Sequence, residues 1–144
     1  MQISKKTIVC MLLFILFAGN MVAQNLMTNV YGRDIRSLNG KWNAIIDLYD
    51  QGRGMKVYRN QSPKGATDFY EYSFKGGLRL NVPGDWNSQM PELKYYEGTV
   101  WYARHFDAKR LVDKRQFLYF GAVSYRCRVY LNGTEIGSHE GGFT

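Results

Sequence analysis

RCRVYLNG, residues 126–133, is the stretch whose reading decides the fold. Cys127, Val129 and Leu131 fall on one side of an extended chain and Arg126, Arg128 and Tyr130 on the other. That period of two is the mark of a strand with one buried face. A slip of one residue would turn the apolar set outward, so the register is expected to be fixed. Asn132-Gly133 then ends the run, and both residue types accept the positive φ that a type I′ hairpin needs at its two central positions. Residues 134–138 are therefore the expected return strand.

The segments on either side read the same way. Residues 116–123 (QFLYFGAV) form a nearly continuous apolar run, expected to be a strand buried on both faces. Residues 98–106 read as a strand, and 78–82 (LRLNV) alternates cleanly. An Ile- and Trp-rich strand opens at Leu38 and runs through Asp47 or Tyr49, until DQGRG at 50–54 breaks it with two glycines. Residues 55–59 read as a short edge strand and 60–68, with Pro63 and Gly65, as a loop. The aromatic-rich FYEYSF at 69–74 reads as a further strand. Beyond residue 23, no stretch of ten residues keeps a helical apolar period, and 107–114 holds at most a turn or two. Several short strands separated by turns predict an all-β fold, a β-sandwich or jelly roll. There is no internal repeat or low-complexity tract.

The N-terminus is expected to lie outside that fold. Lys5-Lys6 is a short basic region and residues 7–18 (TIVCMLLFILFA) an apolar run of twelve. A membrane span needs roughly 20 apolar residues, so the run fits a secretory signal, with cleavage expected after Ala23. An uncleaved anchor helix is the alternative reading. Cys10 lies in the apolar run with no lipobox around it. Removing residues 1–23 leaves 121 residues and lowers the net charge from +7 to +5, by loss of Lys5 and Lys6. Export with a single cysteine, Cys127, excludes an intramolecular disulfide in the mature chain, and its place on the strand predicts a small buried hydrophobe. Basic residues are scattered as singles and pairs, with no nucleic-acid fold motif, so no nucleic-acid partner is expected. No membrane contact is expected after signal cleavage. His105 and His139 stand far apart with no cysteine or carboxylate at ligand spacing, so neither a metal nor a cofactor is expected. Neither Gly76-Gly77 nor Gly141-Gly142 has the pattern of a phosphate loop. Asn60-Gln61-Ser62 and Asn132-Gly133-Thr134 match a glycosylation triplet but read as a polar loop and a hairpin turn.

Three motifs occur in a fixed order: VPGDWN at 82–87, YEGTVWYAR at 96–104, and GAVSY at 121–125 leading through VYLNG at 129–133 to HEGGFT at 139–144. The series resembles the N-terminal sugar-binding domain of glycoside hydrolase family 2, the family of β-glucuronidases, β-galactosidases and β-mannosidases. The resemblance implies a jelly-roll, galactose-binding-like β-sandwich over residues 24–144. In that family the chain goes on past the Gly-Gly-aromatic-Thr turn, so the sandwich is expected to be incomplete at its C-terminal end. Trp101 and Tyr102 are expected in the core and Arg104 as a buried or half-buried salt-bridge partner. The β-galactosidase branch often has an asparagine where this chain has Glu97-Gly98, which leans the reading toward a β-glucuronidase. Trp86 reads as a structural wedge, with a sugar-stacking platform as the alternative.

Retaining glycosidases need two carboxyl groups about 5–5.5 Å apart. The resemblance puts both on a later (β/α)₈ barrel, behind an immunoglobulin-like domain. Glu71, Glu92, Glu97, Glu135 and Glu140 match no catalytic motif of the family, so no catalytic residue is expected in this chain. The implied function is the N-terminal part of an exported β-glycosidase acting on a carbohydrate substrate, a homo-oligomer of the full-length enzyme remaining open. This segment would support the fold and the pocket rim. A free-standing secreted carbohydrate-binding module is the alternative, with Trp86, Tyr95 or Trp101 as platforms. An envelope interaction protein is a weaker third.

Overall fold

A computed structural model describes residues 32–61, 72–109 and 111–142. Its contacts divide the chain into Met1–Arg36 and Ser37–Thr144. The described part of the first unit, residues 32–36, contains no strand. The second unit is all-β, with five strands among the described residues: β1 (Gly40–Asp47), β2 (Leu78–Val82), β3 (Thr99–Ala103), β4 (Arg126–Leu131) and β5 (Thr134–Glu140). They form a three-stranded antiparallel sheet in the order β2-β1-β3 and a two-stranded sheet β4-β5.

β1 is the central strand, and its sequence explains why. Ala44 and Ile46 turn to one face and Ile45 to the other, so both faces need cover. On the first face Ala44, Leu80 and Leu93 are buried, with Leu78, Trp86, Val100 and Tyr102 packed around them. On the second face Ile45, Val57 and Phe74 are buried beside Trp101 and Ala103. The alternation of β3 divides it in the same way, Val100 and Tyr102 to one side and Trp101 and Ala103 to the other. Burying a side chain such as Leu80 stabilises the fold by roughly 1.5–3 kcal/mol.

The segment after β2 is held by its polar side chains. The Gln89 amide accepts from the Asn81 N–H at 2.6 Å and donates to the Asn81 carbonyl at 3.1 Å. It thus stands in for a neighbouring strand residue on the open edge of β2. Asn87 Nδ2 donates to the carbonyls of Leu93 at 2.7 Å and Tyr96 at 3.0 Å, and the Trp86 indole donates to the Tyr96 carbonyl at 3.2 Å. These bonds hold a single 3₁₀ turn, Pro91–Leu93, against the sheet, with Leu93 buried.

The hairpin at 132–133 forms as its sequence requires: Asn132 has φ 49° and Gly133 φ 81°. β5 extends to Glu140, two residues beyond the expected return strand. A bulge leaves Ile136 unpaired, because Val129 faces Gly137 and Tyr130 faces Glu135. The expected buried set of β4 is only partly covered. Cys127 and Val129 are half-buried, while Leu131 is 41% exposed. The packing on this end of the hairpin comes through the opposite face, from Tyr130 against Tyr58 and Trp101.

Four further expectations are corrected. Residues 55–59 are not an edge strand; Val57–Arg59 is a 3₁₀ turn between left-handed Lys56 and Asn60. Its backbone bonds are local, Met55 N–H to Gln51 O at 3.0 Å and Val57 N–H to Gly52 O at 2.9 Å, which leaves no ladder to form. Residues 116–123 are neither strand nor buried: Phe117, Tyr119 and Phe120 are exposed. A high β-propensity yields a strand only where a neighbour pairs with it and a layer covers it, and among the described residues neither is present. The strand expected at 98–106 shortens to Thr99–Ala103. Of the strand expected at 69–74, residues 69–71 lie outside the described residues, as does most of the expected loop at 60–68. Tyr72, Ser73 and Phe74 are not in a strand.

Candidate functional site

Among the described residues, a heavily bonded carboxylate closes β1. Asp47 is 1% exposed. Its Oδ2 accepts from the Gly52 N–H at 2.8 Å and the Trp101 indole N–H at 2.9 Å, and its Oδ1 from the Gln51 N–H at 3.0 Å and the Tyr72 hydroxyl at 3.3 Å. The main chain of Asp47 joins in, since its carbonyl lies 3.1 Å from the Tyr96 hydroxyl, which is shared with the Thr99 carbonyl at 3.0 Å. Burial alone would raise the pKa of this carboxyl. The bonds from Trp101, Gly52, Gln51 and Tyr72 outweigh it and hold the pKa below its usual 3.8. The Tyr96 phenol is pushed up by burial and then by the Asp47 and Asp50 carboxylates. This is an organising centre with all its acceptors engaged, not a reactive acid.

Sequence reasoning missed Asp47. A signal was available in an Asp placed four and five residues before the turn amides of Gln51-Gly52, where a carboxylate can close the turn. The buried indole of Trp101, in need of an acceptor, was the second.

An aromatic cluster stands next to this centre. Tyr58 and Tyr130 stack with ring centroids 4.6 Å apart and an interplanar angle of 12°, and Trp101 leans on Tyr130 at 6.0 Å. Burial pushes the Tyr130 phenol up, followed by the Glu135 carboxylate, although the hydroxyl makes no hydrogen bond of ordinary geometry. Glu135 instead pairs with Arg128 Nη1 at 3.0 Å.

Of the three proposed platforms, two are engaged in the fold. Trp86 packs on the Ala44–Leu80–Leu93 cluster as a wedge, and Trp101 is tied to Asp47. Tyr95 is 85% exposed, with Lys94 Nζ 5.2 Å above its ring. The three do not form one open row.

The glutamates are dispersed. Glu92 sits on the 3₁₀ turn and Glu97 in the approach to β3, while Glu135 and Glu140 lie on β5, all exposed; Glu71 lies outside the described residues. Arg104 is corrected: it is exposed and donates from Nη1 to the Lys41 carbonyl at 2.9 Å, not to a carboxylate. His105 Nε2 lies 3.5 Å from Asn60 Nδ2, and His139 pairs across the hairpin with the half-buried free thiol of Cys127. Among the described residues no group of three or more His, Cys, Asp or Glu side chains is placed to hold a metal ion.

Comparison with known proteins gives this arrangement a context. Residues 80–143 match the family model described as the β-galactosidase second all-beta domain. The chain is 28% identical over 114 residues to a β-glucuronidase of Paenibacillus borealis, covering 77% of this chain and 17% of that protein. It is 32% identical over 66 residues to a β-glucuronidase of Streptococcus agalactiae, covering 44% of this chain and 11% of that protein. It is also similar to a β-galactosidase of Thermoanaerobacter pseudethanolicus, 25% identical over 119 residues, 78% of this chain and 14% of that protein. The solved structure of Lactobacillus rhamnosus β-glucuronidase superposes with a TM-score of 0.51 at 26% identity, over 75% of this chain and 17% of that one. The chain thus spans less than a fifth of the length of these relatives. By its all-β fold and by these matches the chain is similar to part of the β-glucuronidases and of a β-galactosidase.

Proposed function

We propose that residues 24–144 are the N-terminal sugar-binding domain of an exported β-glycosidase, β-glucuronidase-like, which hydrolyses O-glycosidic bonds in a carbohydrate. The observation that carries this reading is the run of matches to β-glucuronidases and a β-galactosidase across most of the chain. The role of the domain is to support the fold and the rim of the pocket. Its chemistry agrees with that role. The polar groups of the described core, from Asp47 through Trp101, Tyr96, Asn87 and Gln89, are spent on closing loops onto the sheet. The described glutamates are exposed and dispersed, whereas a retaining site holds two carboxyl groups about 5–5.5 Å apart on a rigid frame. In this reading the two carboxyl groups of the retaining site belong to another domain of the enzyme.

Assaying chromogenic β-glucuronides, β-galactosides and β-mannosides with the product of the complete coding region tests the reading. Preferential turnover of the glucuronide is expected. Hydrolysis of none of the three removes the proposal. Export is tested separately by mass spectrometry of the mature protein, which is expected to begin at Gln24.

A further inference from the structure

Basic residues that the sequence scatters as singles and pairs are gathered by the fold. Residues 51–60 (QGRGMKVYRN) carry Arg53, Lys56 and Arg59, all exposed, and no carboxylate. Two contacts set this segment against the β4–β5 hairpin. Tyr58 stacks on Tyr130 with ring centroids 4.6 Å apart, and a Cβ at Gly133, on the hairpin tip, would stand 3.6 Å from the Arg59 side chain. Arg128 lies two residues before Tyr130 on the same face of β4 and pairs with Glu135 at 3.0 Å. Burial and then the Glu135 carboxylate push the Tyr130 phenol up, while Arg53 and Arg128 act against them, so both guanidinium groups lie close to one ring. Four cations are thus carried around the Tyr58–Tyr130 stack, with Glu135 among them.

The backbone that carries three of these cations is fixed. The Gly52 N–H is held by Asp47 Oδ2, and the N–H groups of Lys56, Val57, Arg59 and Asn60 close on the carbonyls of Arg53, Gly52, Lys56 and Val57. We propose that this basic patch, formed by Arg53, Lys56, Arg59 and Arg128 around the Tyr58–Tyr130 stack, binds a glycan chain that carries uronate groups. The planar fork of a guanidinium takes a carboxylate by two parallel hydrogen bonds, which suits arginine to this partner. The two tyrosine rings are stacked on each other and not set apart to receive bases, which favours a glycan over a single-stranded nucleic acid. The anionic class follows from the charges; that the chain is a glycan rests on the sugar-binding reading proposed above.

Calorimetric titration of the product of the complete coding region tests the patch. The probes are an oligosaccharide of hyaluronan, which bears a carboxylate on alternate sugars, and a neutral maltodextrin of the same length. Binding of the hyaluronan chain that weakens as salt rises, with none of the maltodextrin, is the expected result. Arg53→Gln combined with Arg59→Gln changes two exposed side chains and is expected to weaken that binding about tenfold, through loss of two ion pairs. Lys75→Gln combined with Arg79→Gln removes the same charge from exposed positions at and just before β2, and is expected to change binding by less than about twofold. The readout is binding and not turnover, so a protein that hydrolyses no glycoside would still decide the patch. Failure to bind the hyaluronan chain, tighter binding of an oligonucleotide of equal charge, or equal losses in the two double variants overturns the proposal.

Discussion

Asparagine at position 47 would keep the shape of the side chain and lose its chemistry. The aspartate offers two anionic oxygens to four donors, while an asparagine turns one acceptor into a donor that faces either the Gly52 and Trp101 N–H groups or the Gln51 N–H and the Tyr72 hydroxyl. Each buried donor left unmatched costs about 1–3 kcal/mol, so Asp47→Asn is expected to lower stability by about 3 kcal/mol or more in urea denaturation. The pH dependence follows from the depressed carboxyl. Its stabilisation is full above the unfolded value near 3.8 and is lost as pH falls through the lower folded value, so the variant's urea midpoint should fall less on acidification. Gly52 is constrained by the same centre. A Cβ there would run into Trp101 Nε1 and lie 2.6 Å from Asp47 Oδ2. Gly52→Ala is expected to cost roughly 1–3 kcal/mol by overpacking, read as a lowered thermal midpoint. Residue types and the turn spacing hint at this centre but do not decide it. A strand-end Asp before a glycine turn has the same sequence whether it is solvated or buried, and two of its donors, Tyr72 and Trp101, come from 25 and 54 positions away.

At the scale of elements, what the sequence made legible is what local chemistry decides. Asn132-Gly133 dictates its own turn, and the alternation of LRLNV marks β2, because neither depends on a distant partner. Gly133→Val, a β-branched residue at φ 81°, is expected to lower the thermal midpoint, at a cost of about 1–2 kcal/mol. Where tertiary contacts decide, the sequence misled. Residues 116–123 have a strand's composition but remain unpaired, and residues 55–59 are wound into a 3₁₀ turn below the Asp47 centre. The Gln89 amide on the β2 edge belongs with these, since a side chain replacing a strand partner has no local signature. Gln89→Ala is expected to expose the Asn81 backbone, to cost about 1 kcal/mol in urea denaturation and to speed exchange of the Asn81 amide.

For the molecule as a whole, the motifs that carry the family resemblance are mostly turn-formers and packed aromatics, and they describe a scaffold. Trp86 and Trp101, read in advance as a wedge and a core residue, are packed and hydrogen-bonded within the sheet. Of the described motif aromatics, Trp86, Tyr96, Trp101 and Tyr102 pack on the three-stranded sheet, Tyr130 lies against Tyr58 and Trp101, and Tyr125 is exposed. The central proposal is that this domain belongs to a β-glycosidase and performs no hydrolysis itself. Steady-state turnover of a chromogenic β-glucuronide, measured in parallel for purified residues 24–144 and for the product of the complete coding region, tests it most directly. Turnover by the complete product with none by residues 24–144 is the predicted result; hydrolysis by residues 24–144 alone, or none by either, would contradict it.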